Sequence, residues 1–179
     1  MLSKKRILEE MSKGNIIIDP FDESQLGPNS YNVKLHDELL VYTCDTLDMA
    51  KDNPYEIIKI PEKGLVLEPG LLYLGQTVEY TETFGFVPKI DGRSSTGRLG
   101  ISIHETAGFG DNGFCGFWTL EISCVQPVRI YPFKEIGQVY FEVLDVAINE
   151  DPYGETDYHG KYQNNRGAQT SQMWKEFQK

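Results

Sequence analysis

Between residues 16 and 144, brief runs of β-branched and aromatic residues alternate with Gly, Pro, Asp and Asn, and the connections are too short for crossover helices. Parallel strands require such crossovers, so this spacing predicts antiparallel pairing in an all-β barrel or sandwich and argues against a parallel α/β sheet. Strands are expected at 16–18, 31–35, 38–42, 55–59, 65–67, 71–80, 87–91, 100–104, 116–124, 128–130 and 136–144. Ahead of them Ser3 reads as an N-cap, Ile7, Leu8 and Met11 fall at helical spacing, and Gly14 supplies a stop. A short amphipathic helix is therefore predicted over 4–12. From residue 149 the chain turns polar and rich in Gly, Gln and Asn, with Tyr153, Tyr158, Tyr162, Trp174 and Phe177 spread through it. That pattern fits a flexible tail with aromatic anchors, able to close over a ligand as a lid or to dock on a neighbouring subunit.

A chain of 179 residues is long enough to bury a core as one domain, here expected to span 1–179 with an N-terminal helix in 1–14 and the tail in 149–179. The formal charge of -10 disfavours a sequence-independent nucleic-acid binder, so an anionic ligand needs a local basic pocket. Cys44, Cys115 and Cys124 form no C-x-x-C pair and leave one over in any disulfide scheme, which points to a reducing compartment and to buried, unpaired thiols. No apolar stretch approaches the roughly 20 residues that cross a bilayer. Lys4, Lys5 and Arg6 precede no signal-peptide core, so a cytoplasmic protein without membrane partners is expected.

The densest chemical signal is Asp91-Gly92-Arg93-Ser94-Ser95-Thr96-Gly97-Arg98, directly after a hydrophobic strand. Arginine forks bond phosphate oxygens in pairs, hydroxyls add donors and glycines admit close backbone approach, so triphosphate binding would concentrate here. A polar turn capping a short helix would have the same composition; neither the P-loop spacing nor the dinucleotide glycine pattern is present. The next segment, 104–114, is a glycine-rich turn carrying one acid, Asp111, among small residues and aromatics. A lone Asp in a turn is commonly a local hydrogen-bonding residue, and it gains functional weight only from lying between the arginine segment and Glu121. His104 alternates with Ile101 and Ile103, which favours core or hydrogen-bonded support over metal ligation.

Glu121 sits inside the strongly apolar run Phe117-Trp118-Thr119-Leu120-Glu121-Ile122. Either it faces solvent across an antiparallel sheet or it is sheltered where it can shuttle protons. The zinc signature H-x-E followed by P-C-x-x-C is absent, so if this chain deaminates a base, a side-chain carboxyl rather than a zinc-activated water is expected to do it.

These segments, in this order, resemble the dCTP deaminases of the dCTP deaminase and dUTPase superfamily, and most closely their bifunctional, dUMP-forming branch. Gly92-Arg93-Ser94-Ser95, Gly97-Arg98-Leu99-Gly100, Thr106-Ala107-Gly108-Phe109 with Asp111 and Gly113-Phe114, and Thr119-Leu120-Glu121 read as the family's core. Ile16 to Pro20, Ile136-Gly137-Gln138, Pro152-Tyr153-Gly154 and Gly160-Lys161-Tyr162-Gln163 extend the likeness over nearly the whole chain. The resemblance implies a distorted β-barrel or jelly-roll of the dUTPase-like type and a homotrimer with nucleotide sites between subunits. It implies Mg2+ that arrives with the triphosphate rather than on protein side chains, and no zinc. It assigns Arg93, Ser94, Ser95, Thr96 and Gly97 to phosphates and water, and Arg98 to the neighbourhood of the base. Asp111 would hold the deoxyribose 3′-hydroxyl. Thr119 and Leu120 would read the cytosine edge through backbone groups, Ala107 would belong to the catalytic loop, and Glu121 would relay protons. Gln138, Tyr153, Lys161, Gln163 and Asn165 would complete the sugar and phosphate contacts under a closing tail.

Gly108-Phe109 matches the members that proceed to dUMP, the precursor for dTTP synthesis, where those that stop at dUTP carry a bulkier polar pair. The chain departs from the pattern at Gly110, where a branched aliphatic is usual, at Asn112 for Pro, at Asn165 for Gln, and at Asn32 and His36 for Asp and Gly. Four activities stand side by side on this reading: a dUMP-forming deaminase, a dUTP-releasing deaminase, a dUTPase, and a non-catalytic nucleotide-binding trimer. Retention of Glu121 speaks against the last two.

Overall fold

The computed structural model describes residues 1–145, 152–153 and 160–178. Helix α1 spans Lys4–Ser12, with the Ser3 side chain accepting from the Arg6 N–H and Gly14 leaving the helix at φ 79°. Ten strands follow among the described residues: β1 Ile16–Asp19, β2 Tyr31–Tyr42, β3 Tyr55–Lys59, β4 Leu65–Leu67, β5 Tyr73–Thr83, β6 Phe86–Gly92, β7 Ile101–Ser102, β8 Cys115–Cys124, β9 Val128–Ile130 and β10 Glu135–Val143. Every strand pairing is antiparallel, as the short connections require.

The main sheet has the order β6-β10-β2-β5-β8-β7, with β1 added to β5 and β3 to β2, while β4 and β9 pair separately. The sequence suggests two strands at 31–35 and 38–42; the structure has one long strand. Its register shifts between Leu35 and Leu39, and it hands its partner over from β10 to β3. Similar shifts interrupt β5 between Gln76 and Tyr80 and β10 between Glu135 and Gly137. Such bulges bend a sheet, which lets it curl around one core. That core runs through Tyr31, Val33, Leu35, Leu39, Leu120, Ile122, Val139 and Phe141, and Ile7 closes it from α1. The architecture is the antiparallel all-β barrel that the turn-punctuated spacing implies.

A second helix, α2, spans Ser94–Arg98, so the arginine segment folds as a short helix. Short 3₁₀ turns at Glu23–Gln25 and Met173–Gln178 were not expected. All three cysteines are free thiols. Among the described residues no helix is long and apolar enough to cross a membrane. Part of the expected tail, including Tyr158, His159 and Gly154 of the Pro-Tyr-Gly match, lies outside the described residues.

Candidate active site

Strand β8 organises the site. Its alternation buries Trp118, Leu120 and Ile122 and leaves Phe117, Thr119 and Glu121 half-buried on the other face. Glu121 is thus neither in open solvent nor in the dry core. Its Oε2 accepts the Glu105 N–H at 2.8 Å, and the Glu105 carboxylate in turn accepts from the Ser123 hydroxyl at 2.6 Å. The Glu121 N–H donates to the Ile103 carbonyl at 2.9 Å, so residues 103–105 are stitched along β8 beside the carboxylate. Sequence reasoning could not find Glu105, because the contact uses a backbone N–H that every non-proline residue carries.

Glu121 faces a cavity of about 510 Å³ whose walls include Thr106, Ala107, Phe109, Asp111, Phe117, Trp118 and Thr119. The volume is in the range of small-molecule sites, and the aromatic walls suit a planar base. The loop carrying Ala107 to Asp111 is held against β6: Ile90 N–H donates to Gly108 O and Gly110 N–H to Pro88 O, both at 2.7 Å. A Cβ on Gly110 would lie 3.0 Å from Trp118 Cη2 and 3.2 Å from Pro88 Cγ. Trp118 and Pro88 thus crowd the space that a branched residue at 110 would need. A Cβ on Gly108 would come within 3.2 Å of both His104 Cε1 and Ile90 O. Asn112 is buried and its Oδ1 accepts the Gly85 N–H at 2.7 Å, a loop-anchoring bond that the more usual Pro could not make.

His104 plays the supporting part expected of it. Its Nε2 lies 3.1 Å from Asp91 Oδ1, and the Tyr140 hydroxyl donates to Asp91 Oδ2 at 2.8 Å. Asp111 is exposed by area at the cavity rim, yet partial withdrawal from water pushes its carboxyl above the usual range.

The tail lies along β8 where β7 does not cover it. Asn165 brackets one residue, accepting from Phe117 N–H at 2.8 Å and donating to Phe117 O at 3.0 Å. Gln163 accepts from Cys115 N–H at 2.9 Å and donates to Gly113 O and Tyr153 O at 2.7 and 3.1 Å. The Gln169 N–H donates to Thr119 Oγ1 at 3.1 Å. Tyr153, Tyr162 and Asn165 join the cavity wall. In this conformation Gln163 and Asn165 are backbone anchors for the tail, and their amides are engaged with the chain itself rather than presented to a ligand. Lys161 is paired with Glu176.

The arginine segment is elsewhere. Arg93 is the N-cap residue of α2 and Thr96 Oγ1 donates to Ile136 O at 2.9 Å, fixing the helix to β10. Ser94, Ser95, Gly97 and Arg98 are exposed, with Arg98 Nη1 donating back to Ser94 O at 3.0 Å. Arg93, Ser95 and Thr96 line a second depression together with Arg129 and Lys134, and none of them lines the Glu121 cavity. Gln138, in mid-β10, belongs to neither. The single chain therefore unites Glu121, Thr119, Asp111, Ala107, Phe109, Tyr153 and Asn165, while Arg98 does not join them. Leu120 is fully buried, so only its backbone is available to a ligand.

Comparisons with known proteins bear on the family and the fold. The family model described as dCTP deaminase-like matches residues 1–144. A "dCTP deaminase, dUMP-forming" from Clostridium beijerinckii is 58% identical over 181 residues, covering 100% of this chain and 99% of the relative. Another of the same name from Leptospira biflexa is 50% identical over 179 residues, with the same coverage. The crystal structure of 2′-deoxycytidine 5′-triphosphate deaminase from Agrobacterium tumefaciens superposes with a TM-score of 0.62 at 19% identity, covering 80% of this chain and 48% of that one, and supports the fold.

Proposed function

The chain belongs to the dCTP deaminase-like family, and from that premise we propose that it converts dCTP to dUTP and ammonia and carries the product on to dUMP and diphosphate. The observation that carries this reading is Glu121, a half-buried carboxylate tethered by a backbone N–H on the wall of an aromatic, nucleoside-sized cavity. Relatives at 50–58% identity over their full length bear the dUMP-forming name.

In the first step water adds to C4 of the cytosine ring. Glu121 takes a proton from that water and passes it to ring N3, so negative charge does not build up on the base; the amino group then leaves as ammonia after a second transfer. One carboxyl serving as base and then acid does what metal-bound hydroxide does elsewhere. Thr119 and the Leu120 backbone bound the base edge, Ala107 packs against it, and Phe109 together with Gly108 shapes the loop. Asp111 holds the 3′-hydroxyl and, in the second step, orients a water toward the α-phosphate, so that the α–β phosphoanhydride bond breaks. Among the described residues no three His, Cys, Asp or Glu side chains cluster to hold a metal ion. Mg2+ is assigned to the substrate, as Mg-dCTP.

The phosphates need cations, and among the described residues the cavity wall has none. Arg93 and Arg98 supply them from a second copy, with Ser94, Ser95, Thr96 and Gly97 adding neutral donors: α2 of one subunit faces the Glu121 cavity of its neighbour in a homotrimer. Gln138, Tyr153, Lys161, Gln163 and Asn165 are assigned to the enclosing shell, reached when the tail rearranges around the nucleotide. A cytoplasmic location goes with the free thiols and the nucleotide substrate. Product analysis tests the reading: incubation with Mg-dCTP should release ammonia and diphosphate with dUMP as the end product. Accumulation of dUTP would remove the second step, and absence of ammonia would remove the first.

A further inference from the structure

Arg93 does not stand free on α2. Its Nη1 lies 2.9 Å from Glu135 Oε2 and 3.3 Å from the carbonyl of the same residue, and its own N–H reaches the Ile136 carbonyl at 3.5 Å. Asn32 Nδ2 donates to Glu135 Oε2 at 3.2 Å. The Asn32 carbonyl accepts from Gln25, which also donates to the buried Glu79 at 2.8 Å; Glu79 in turn accepts the Lys34 N–H at 2.9 Å. A continuous chain of bonds thus runs from the core to the guanidinium. The β10 bulge between Glu135 and Gly137 aims the carboxylate at α2. Gly137 lets β10 lie close against β6 and Ile103, since a Cβ there would lie 2.6 Å from Ile103 Cδ1 and 3.1 Å from Asp91 O.

We propose that Glu135 is a positioning residue for phosphate binding: it fixes one edge of the Arg93 guanidinium so that the remaining edge is presented to the triphosphate. This deepens the proposed function and rests on its assignment of Arg93 to phosphate. Only Nη1 is engaged among the described residues, which leaves Nη2 and Nε, the pair suited to a two-pronged contact with phosphate oxygens. Holding a long, flexible side chain in its bound pose removes ordering entropy from the binding step. Asn32 keeps Glu135 in place without adding a second negative charge beside the incoming phosphates.

The test is steady-state kinetics with Mg-dCTP, together with inhibition by inorganic tripolyphosphate, on Glu135→Ala, Glu135→Gln, Asn32→Ala and Arg93→Ala. Glu135→Ala should raise KM and the tripolyphosphate Ki together by about tenfold, with a much smaller change in kcat. Glu135→Gln keeps an acceptor for Nη1 and should recover most of that loss, and Asn32→Ala should show the same split at smaller size. Thermal melts of each variant identify any loss that is only unfolding, and Asn32→Ala carries the test if Glu135→Ala does not fold. A KM equal to or below the parent's in Glu135→Ala, with Arg93→Ala impaired, overturns the positioning role while leaving Arg93 a phosphate ligand. Unchanged KM and Ki in Arg93→Ala overturn both.

Discussion

The two chemically loaded segments of this chain are built in opposite ways. Along β8 the polar groups are answered from within: Glu121 by Glu105, Phe117 by Asn165, Cys115 by Gln163 and Thr119 by Gln169. On α2, Ser94, Ser95, Gly97 and Arg98 are exposed, and among the described residues Arg98 donates to the carbonyl of Ser94 in its own helix. The first is a cavity with no cation on its wall among the described residues, the second a set of cations and hydroxyls that lies outside that cavity. A side chain as long as arginine loses much rotamer freedom when fixed, so an exposed cluster of this kind is better ordered by a ligand or a second subunit than by its own chain. The homotrimer proposed above would bring the two together across a subunit boundary.

The sharpest way to break the comparison is to remove each half in turn. Glu121→Gln should lower kcat for ammonia release by about 10³-fold, with the dCTP dissociation constant within a few-fold of the parent, since the amide fills the same space but cannot shuttle protons. Turnover at the parent rate would show that the carboxylate is not the proton relay. Arg98→Ala should also be severely impaired. Mixing the two inactive variants after co-refolding should restore about a quarter of parental activity, because in a closed trimer with sites between neighbours random assortment leaves one site in four with both intact halves. No recovery would mean that both halves act from the same subunit.

A smaller effect sharpens the division of labour inside the cavity. Asp111→Asn should slow deamination by about tenfold while largely stopping diphosphate release, because ordering a water needs a stronger acceptor than ordering a hydroxyl. The product would shift from dUMP to dUTP, read by chromatography. Parallel loss of both activities would assign Asp111 to binding alone.

Much of this was legible in the chain. The turn-punctuated spacing specified antiparallel all-β architecture, and α1, β3, β4 and β9 fall where their patterns put them. Boundaries failed where strands bend: a bulge at Leu35 to Leu39 reads as a break in alternation, although the backbone continues through it. For the site, the motifs marked Glu121, Asp111 and the arginine segment. They did not show that Gln163 and Asn165 bond backbone, that Glu105 donates through its N–H, or that Glu135 holds Arg93. Those are pairings between residues 16 to 48 positions apart, and no local pattern encodes them. Nor does any local pattern show that Trp118 and Pro88 crowd Gly110.

The smallest effect concerns stability rather than turnover. Partial withdrawal from water raises the Asp111 carboxyl above its ordinary range, so the folded chain holds that proton more tightly than the unfolded chain does. The sign follows: below the unfolded value the group is neutral in both states and costs nothing. As pH rises through the interval up to the folded value the fold loses stability, and the penalty is complete above it. Asp111→Asn should therefore raise Tm at neutral pH by a small amount, about 1–2 °C given the group's exposure, and should give no gain under acidic conditions where the parent carboxyl is already protonated. No comparable pH-dependent gain is expected at Ser94 or Ser95, whose hydroxyls do not titrate in this range. An Asp111→Asn melt that matches the parent at every pH would mean that the rim carboxylate is fully hydrated, and that the cavity does not exclude water at the point where the second step is assigned.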